Sequence, residues 1–296
     1  MAKATDVKKD APETSTSTAV AEATSTAVAV GAVDFSADAG AGMEGATAES
    51  FAIPFLAVLQ KGSPQVDEAG PGPLVEGAKA GMLFDNITSR LYDGKTGVHI
   101  VPCAYRRVFL RWGARGSESS GFKGEILPEQ VASLRAAGKI IEIDNQLYFP
   151  EEDGTIRRGK DGKVSCDKVA DTRNHYVLLL DEVTGAWSSA LISLASTQIK
   201  KSKALMSLLA SVKVKGPNGL YTPPTFANVV NVTTIAESND KGNWYGIKFD
   251  MVGPVTRGEI YAAAKAFHAS VAKGEVTAKY EDTPEAGGEA GPANGF

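Results

Sequence analysis

VHIVPCAYRRVFLRWGAR, residues 98–115, reads as a β-strand: valine, isoleucine and aromatic residues are dense, and no acidic residue interrupts them. Side chains alternate between the faces of a strand. Tyr105, Arg107, Phe109 and Arg111 therefore share one face, and Arg106, Val108, Leu110 and Trp112 the other. The first face alternates ring and cation, the chemistry that a single-stranded nucleic acid needs: flat surfaces for bases and fixed positive charges for phosphates. The second has an apolar middle that can pack on a core. An ordinary half-buried strand would show the same pattern, with its rings in packing and its arginines in water.

The charge distribution favours a polyanion partner. The 296 residues carry a net −4. Residues 1–50 hold eight acids against three lysines, and residues 281–296 four acids and no base, which leaves residues 51–280 at +5. A mildly basic body thus lies between two acidic ends, an asymmetry that bears on partners. Residues 1–50 are rich in Ala, Ser and Thr, with Phe35 as their one aromatic. Such a segment buries too little apolar surface to offset its ordering entropy, and disorder is expected.

Order is expected from Phe51. FAIPFLAVLQ (51–60) is apolar, MLFDNITS (82–89) reads as a strand, and LYDGKTG as a turn into the strand at 98. Residues 113–126 read as a flexible loop carrying Arg115, Phe122 and Lys123. A short helix follows at 127–137, with Pro128 in its first turn and Gly138 as its stop. A hairpin is expected about Asp144-Asn145, and two strands within 174–194 joined by a turn at 182–185.

A second basic region follows. From Val183 to Ala236 there is no acidic residue, while Lys200, Lys201, Lys203, Lys213 and Lys215 fall inside. A helix is expected over 196–212, with Ile199, Leu205, Met206, Leu208 and Leu209 inward and Lys200 and Lys203 outward. Residues 226–238 read as a strand and 238–253 as a turn followed by a strand, the latter with Trp244 and Lys248 on one face, again a ring beside a cation. The best helical pattern is 257–272, where Ile260, Ala263, Ala264, Phe267 and Val271 form the apolar stripe and Gly274 the stop.

Several chemistries find no support. Gly94-Lys95-Thr96 lacks the upstream glycine and the following helix of a phosphate loop. Glu151, Glu152 and Asp153 are consecutive and so diverge, unlike carboxylates gathered on a metal. His99, His175 and His268 lie in unrelated elements, and Cys103 and Cys166 form no CxxC pattern. No apolar run is long enough to span a bilayer, and no signal peptide is read. No enzyme, cofactor or metal is expected, and no membrane association.

The tail EDTPEAGGEAGPANGF (281–296) is acidic, rich in Gly and Pro, and ends on Phe296. With the basic, aromatic body before it, the chain resembles single-stranded DNA-binding proteins of bacteria and tailed phages. That resemblance implies two roles for Glu281, Asp282, Glu285, Glu289 and Phe296: competition with DNA for the basic groove, and docking of replication or transcription partners. This tail departs from the pattern in lacking an acidic run beside its phenylalanine. The phrases IPFLAVLQKGSPQV (53–66), VPCAYRRVFLRWGAR (101–115), ISLASTQIKKSKALMSLL (192–209) and NDKGNWYGIKF (239–249) resemble the single-stranded DNA-binding proteins of N4-like podophages, which implies recruitment of a phage RNA polymerase to opened DNA.

The expectation is an α+β fold: a β-rich body over 51–280, OB-like or a related antiparallel sheet, with about three helices and disordered acidic arms at 1–50 and 281–296. Its expected function is non-sequence-specific binding of single-stranded DNA, or RNA, in phage replication or transcription in the host cytoplasm, by a homo-oligomer. Tyr105, Phe109, Trp112 and Trp244 are the candidate stacking residues. Arg106, Arg107, Arg111, Arg115, Lys200, Lys201, Lys203 and Lys248 are the candidate phosphate contacts, and Phe296 the partner contact. The rival from another class is a virion or scaffold protein, which would assemble without nucleic acid.

Overall fold

The computed structural model describes residues 38–46, 50–68, 72–114, 120–240 and 242–280. The expectation of disordered arms falls almost wholly outside these residues. In the N-terminal unit, 1–45, the described residues 38–45 run through successive turns, with the Ala41 amide donating to the Asp38 carbonyl at 3.0 Å. The unit from Ala46 onward carries the sheets and the helices.

That unit is β-rich, with an antiparallel sheet curled into a half-barrel and three helices, as expected. Its spine is β4 (Val98–Gly113), paired along its length with β8 (Asp167–Leu180). On β8 follow β9 (Trp187–Ala195) and β7 (Gln146–Phe149), and β7 pairs with β6 (Ile141–Ile143). The other side of β4 is shared: β12 (Asn228–Asn239) pairs with residues 98–100, and β5 (Gly121–Ile126) with 109–113. β13 (Gly242–Pro254) closes that edge against β12. A small sheet, β1 (Leu56–Val58), β2 (Leu83–Asp85) and β3 (Leu91–Tyr92), and an exposed hairpin, β10 (Val214–Gly216) and β11 (Gly219–Tyr221), complete the strands.

Local chemistry explains the elements. The hairpin between β6 and β7 turns on Asp144 and Asn145, both at positive φ (52° and 61°), which these residues tolerate and a two-residue turn requires. α1 (Pro128–Ala136) starts with proline, and Gln130 Oε1 accepts the Leu127 amide at 2.9 Å. α2 (Ile199–Ser211) buries Ser202, Leu205 and Leu209, about 1.5–3 kcal/mol for each leucine. α3 (Gly258–Lys273) ends at Gly274 in the left-handed conformation, and Gly274 and Glu275 amides return to Val271 and Ser270 carbonyls. Edge strand β13 is covered rather than bare: Gln60 bonds both the N–H and the C=O of Tyr245, and Gln198 Oε1 accepts the Ile247 amide.

Two departures have clear causes. Residues 113–126 are not all loop, because 121–126 pair with the end of β4. β8 begins at Asp167, seven residues before the apolar run that signals it, because its first half alternates charged and apolar residues. Gly94-Lys95-Thr96 forms a turn closed by Asp93 Oδ1, which accepts the Lys95 and Thr96 amides at 3.0 and 2.8 Å. No helix among the described residues is long and apolar enough to cross a membrane.

Candidate nucleic-acid interface

The register of β4 and β8 sorts their side chains into two faces. Antiparallel partners share a face, so Tyr105, Arg107, Phe109 and Arg111 stand with His175, Arg173, Asp171 and Val169. We call this the front. A bulge between Pro102 and Ala104 lets Ile100 share it despite its odd spacing from Tyr105. At one end the front is closed by α2 and the small sheet, in a core of Ile100, Val177, Leu179, Ile192, Leu194, Leu205 and Leu209. At the other it is closed by α1, with Phe109, Val169, Val131 and Ile140. Tyr105, Arg107, Asp171 and Arg173 belong to neither cluster, and the front is open there: Tyr105 is 38% exposed and the Arg107 side chain 42%.

This opening is ordered by one carboxylate. Arg107 donates from Nε and Nη2 to the two oxygens of Asp171, at 3.1 and 2.8 Å. Arg173 donates from Nη2 to Asp171 at 2.9 Å and from Nη1 to the Tyr105 hydroxyl at 3.0 Å. The Arg107 guanidinium lies 4.9 Å from the Phe109 ring centre. The exposed Arg107–Asp171 pair contributes at most about 1 kcal/mol, and the Arg173 pair is more enclosed, its side chain 13% exposed; both hold the side chains in place. Among the described residues the Nη1 hydrogens of Arg107 have no acceptor. Behind Tyr105, its ring 5.2 Å away, is His175, buried and hydrogen-bonded through Nε2 to Ser202 of α2 at 2.7 Å. Burial and the neighbouring Arg173 charge push its pKa down to about 4, so it is neutral near pH 7.

Further along the front, Arg111 and Lys123 share Asp167: Arg111 Nε at 2.8 Å and Lys123 Nζ at 2.9 Å. Burial raises the Asp167 carboxyl, but hydrogen bonds from Lys123 and Arg111 outweigh it and hold the pKa below the usual carboxylate range. The Arg111 guanidinium stacks 4.0 Å over Phe149. Among the described residues, Arg107 and Arg173 are paired with Asp171 on this front, and Arg111 and Lys123 with Asp167.

The structure does not gather all the residues singled out in the sequence. Phe109, Trp112 and Trp244 are buried, at 6, 5 and 9% exposure, and offer no face to a base. Trp112 packs behind the sheet against Phe122, and Trp244 donates from Nε1 to Glu237 at 3.0 Å. Lys201 is bound to the same Glu237 at 2.6 Å, so this trio ties α2 to the β12–β13 hairpin and leaves Lys201 little freedom for phosphate. Arg106 projects from the opposite face, its Nη2 3.9 Å from Glu125. Lys248, exposed on β13, pairs with Asp250 at 2.8 Å. Lys200 and Lys203 are exposed, with no ion-pair partner among the described residues, and flank the Ser202 contact that adjoins Tyr105. Arg115 and Phe296 lie outside the described residues. Asp171, Arg173 and Phe149 were not singled out in the sequence; the register of β8 brings the first two to the front.

Among the described residues no group of three His, Cys, Asp or Glu side chains could hold a metal ion. Residues 22–277 match a family model described as Pam3 phage gp34-like protein. No curated protein and no solved structure matches the chain.

Proposed function

This chain belongs to the Pam3 phage gp34-like protein family and is therefore a bacteriophage protein, and on that premise we propose that it binds single-stranded DNA without sequence specificity during phage replication or transcription in the host cytoplasm. The observation that carries the proposal is the opening on the front of the sheet, where exposed Tyr105 adjoins the cross-strand pair Arg107 and Arg173, both held on Asp171, with Arg107 the more exposed of the two. An exposed ring gives any base a stacking surface, worth about 1–3 kcal/mol per base. Guanidinium groups fixed before binding lose less side-chain freedom when a phosphate arrives. Lys200 and Lys203 add exposed positive charge on α2, the helix whose Ser202 bonds His175. RNA presents the same bases and phosphates, so both nucleic acids are expected to bind.

Recruitment of a phage RNA polymerase through the acidic residues 281–296, with Phe296 as the docking residue, is the second part of this proposal, and self-association of the chain the third. The body ends beside the sheet at Tyr280, whose ring is buried against Phe55 and Phe122. The acidic residues therefore start from a fixed point on the molecule.

The test is fluorescence anisotropy of a labelled oligothymidine with the full chain, against duplex DNA, across a salt titration. Four phosphate contacts at about −0.7 each give a log–log salt slope near −3, and near −4 if Lys200 and Lys203 join. Tight, salt-sensitive binding that favours the single strand supports the proposal. Absence of binding at low salt overturns it.

A further inference from the structure

The acid-free stretch from Val183 to Ala236 does more than build α2: it continues into the β10–β11 hairpin. Among the described residues this ribbon pairs with no other strand and enters none of the core clusters. Its strand residues are exposed except Gly216, which is half-buried; Leu220 is 73% exposed and Tyr221 51%. An isolated two-stranded hairpin is marginal in water, so its order comes from its base. Lys213 donates from Nζ to the Ala210 carbonyl at the end of α2, at 3.1 Å, and across the ribbon to the Thr222 hydroxyl. Beyond Thr222 the chain is pinned by Phe226, buried against Tyr261 and His268. A ribbon anchored at its base and bare along both strands is presented to a partner rather than packed.

The register decides what the ribbon presents. Val214 is opposite Tyr221 and Lys215 opposite Leu220, so Val214, Gly216 and Tyr221 share one face and Lys215 and Leu220 the other. The Tyr221 ring leans across Gly216, where a Cβ would stand 3.0 Å from Tyr221 Cε1. Glycine leaves the ring this seat, and half of the tyrosine stays in solvent. The ribbon is two strands wide, about 5 Å, a distance that the flexible four-carbon stem of a lysine spans. A ring for a base and a cation for its phosphate thus stand within reach of one another. Charge then decides the partner. Of the five lysines between Val183 and Ala236, Lys201 is paired with Glu237 and Lys213 bonds neutral oxygens. Lys203 and Lys215 are exposed, with no ion-pair partner among the described residues. A second copy laid on the ribbon would bring its own lysines against these, and opposed like charges are destabilising. A single-stranded polyanion with flat bases suits both the lysines and the ring.

We infer that the β10–β11 hairpin is a second contact for the bound single strand, with a base stacked on Tyr221 and a phosphate on Lys215. The inference rests on the single-strand proposal and adds a site separate from the Tyr105 opening. The two are joined by α2, which rises about 14 Å from Ser202, the residue that bonds His175, to Ser211 before the hairpin.

The experiment uses the full chain, a labelled oligothymidine of about sixteen nucleotides, the upper end of single-strand site sizes, and sedimentation velocity without nucleic acid. Tyr221→Ala is expected to weaken binding about tenfold, the scale of one lost stacked base, and Tyr221→Phe, which keeps the ring, to bind as the wild type does. Lys215→Ala is expected to make the log–log salt slope shallower by about 0.7, one phosphate contact. The denaturation midpoints should not move, because both side chains are exposed. Wild-type affinity in Tyr221→Ala with an unchanged slope in Lys215→Ala, while Tyr105→Ala binds poorly, overturns the hairpin contact and leaves the single-strand proposal standing. A change in the sedimentation of Tyr221→Ala with its affinity for oligothymidine unchanged assigns the hairpin to contact between copies and overturns the inference. Failure of the wild-type chain to bind overturns both.

Discussion

The two faces of the β4–β8 ribbon are built from alternate residues of the same two strands, yet they meet opposite fates. On the back, Tyr176, Ala170, Val108, Leu110 and Trp112 are sealed by α3 and by the segment ending at Tyr280. A neutral pair of hydrogen bonds ties this face together: Asn174 donates to the Tyr280 hydroxyl and accepts from Ser193 at 3.0 Å. On the front, the neighbouring positions hold His175, Arg173 and Asp171, and between the two helices the surface stays open. A sheet can thus combine a closed core and a charged platform within one strand pair, because alternation separates them by a single residue. The back fixes the strands, and the front uses that rigidity to hold Tyr105 and Arg107 in place.

The comparison breaks most visibly at Tyr280. Tyr280→Ala removes a ring 1% exposed that touches Phe55 and Phe122 and leaves Asn174 without its acceptor. A loss of about 3–5 kcal/mol is expected in urea denaturation. The fraction that remains folded should keep its affinity for single strands.

Next in size is the effect of pH through His175. Its folded pKa, about 4, lies below the ordinary value of 6.5. Between those limits the unfolded chain binds a proton that the folded chain does not, so stability falls as pH drops from 6.5 to about 4 and is flat above 6.5 with respect to this group. The loss is on the order of 3 kcal/mol. Denaturation at stepped pH should show this slope in the wild type and its reduction in His175→Phe; an unchanged slope in the variant would assign the effect elsewhere.

Smaller still is Tyr105→Ala, which should cost about 1–3 kcal/mol of binding, as one lost stacking surface, while the denaturation midpoint moves little. Calorimetric titration with oligothymidine checks it. The smallest effect sharpens the role of Asp171. Asp171→Asn should change stability by about 1 kcal/mol, since its pair with Arg107 is exposed and the amide oxygen can still accept from the more enclosed Arg173. With the arginines released, one further phosphate contact should steepen the salt slope by about 0.7. A shallower slope would mean that the orientation supplied by Asp171 outweighs the freed charge.

The sequence makes much of this fold legible, for physical reasons. Alternation in β4 is unbroken after residue 104, so the split between Tyr105, Arg107 and Arg111 and the residues behind them is readable directly. The helices declare themselves through periodicity and through Pro128 and Gly274. What covers each face is not readable, because the covers come from far along the chain. Trp112 looks like an available ring until Phe122 and Tyr280 close over its side of the sheet, and Trp244 looks like a ring beside a cation until Glu237 and Lys201 lock it. Asp171 and Arg173 are hard to read as strand residues because a strand whose outer residues are charged resembles a loop. The period-two spacing of Asp167, Val169, Asp171, Arg173 and His175 was the signal that could have revealed them.

The most direct test of the open front as the binding surface is photo-crosslinking of an iodouridine-substituted oligonucleotide to the full chain, with the adducts located by mass spectrometry. The account predicts adducts at Tyr105, with none at Trp112 or Trp244. Adducts confined to the back of the molecule, such as exposed Tyr261 on α3, would contradict it.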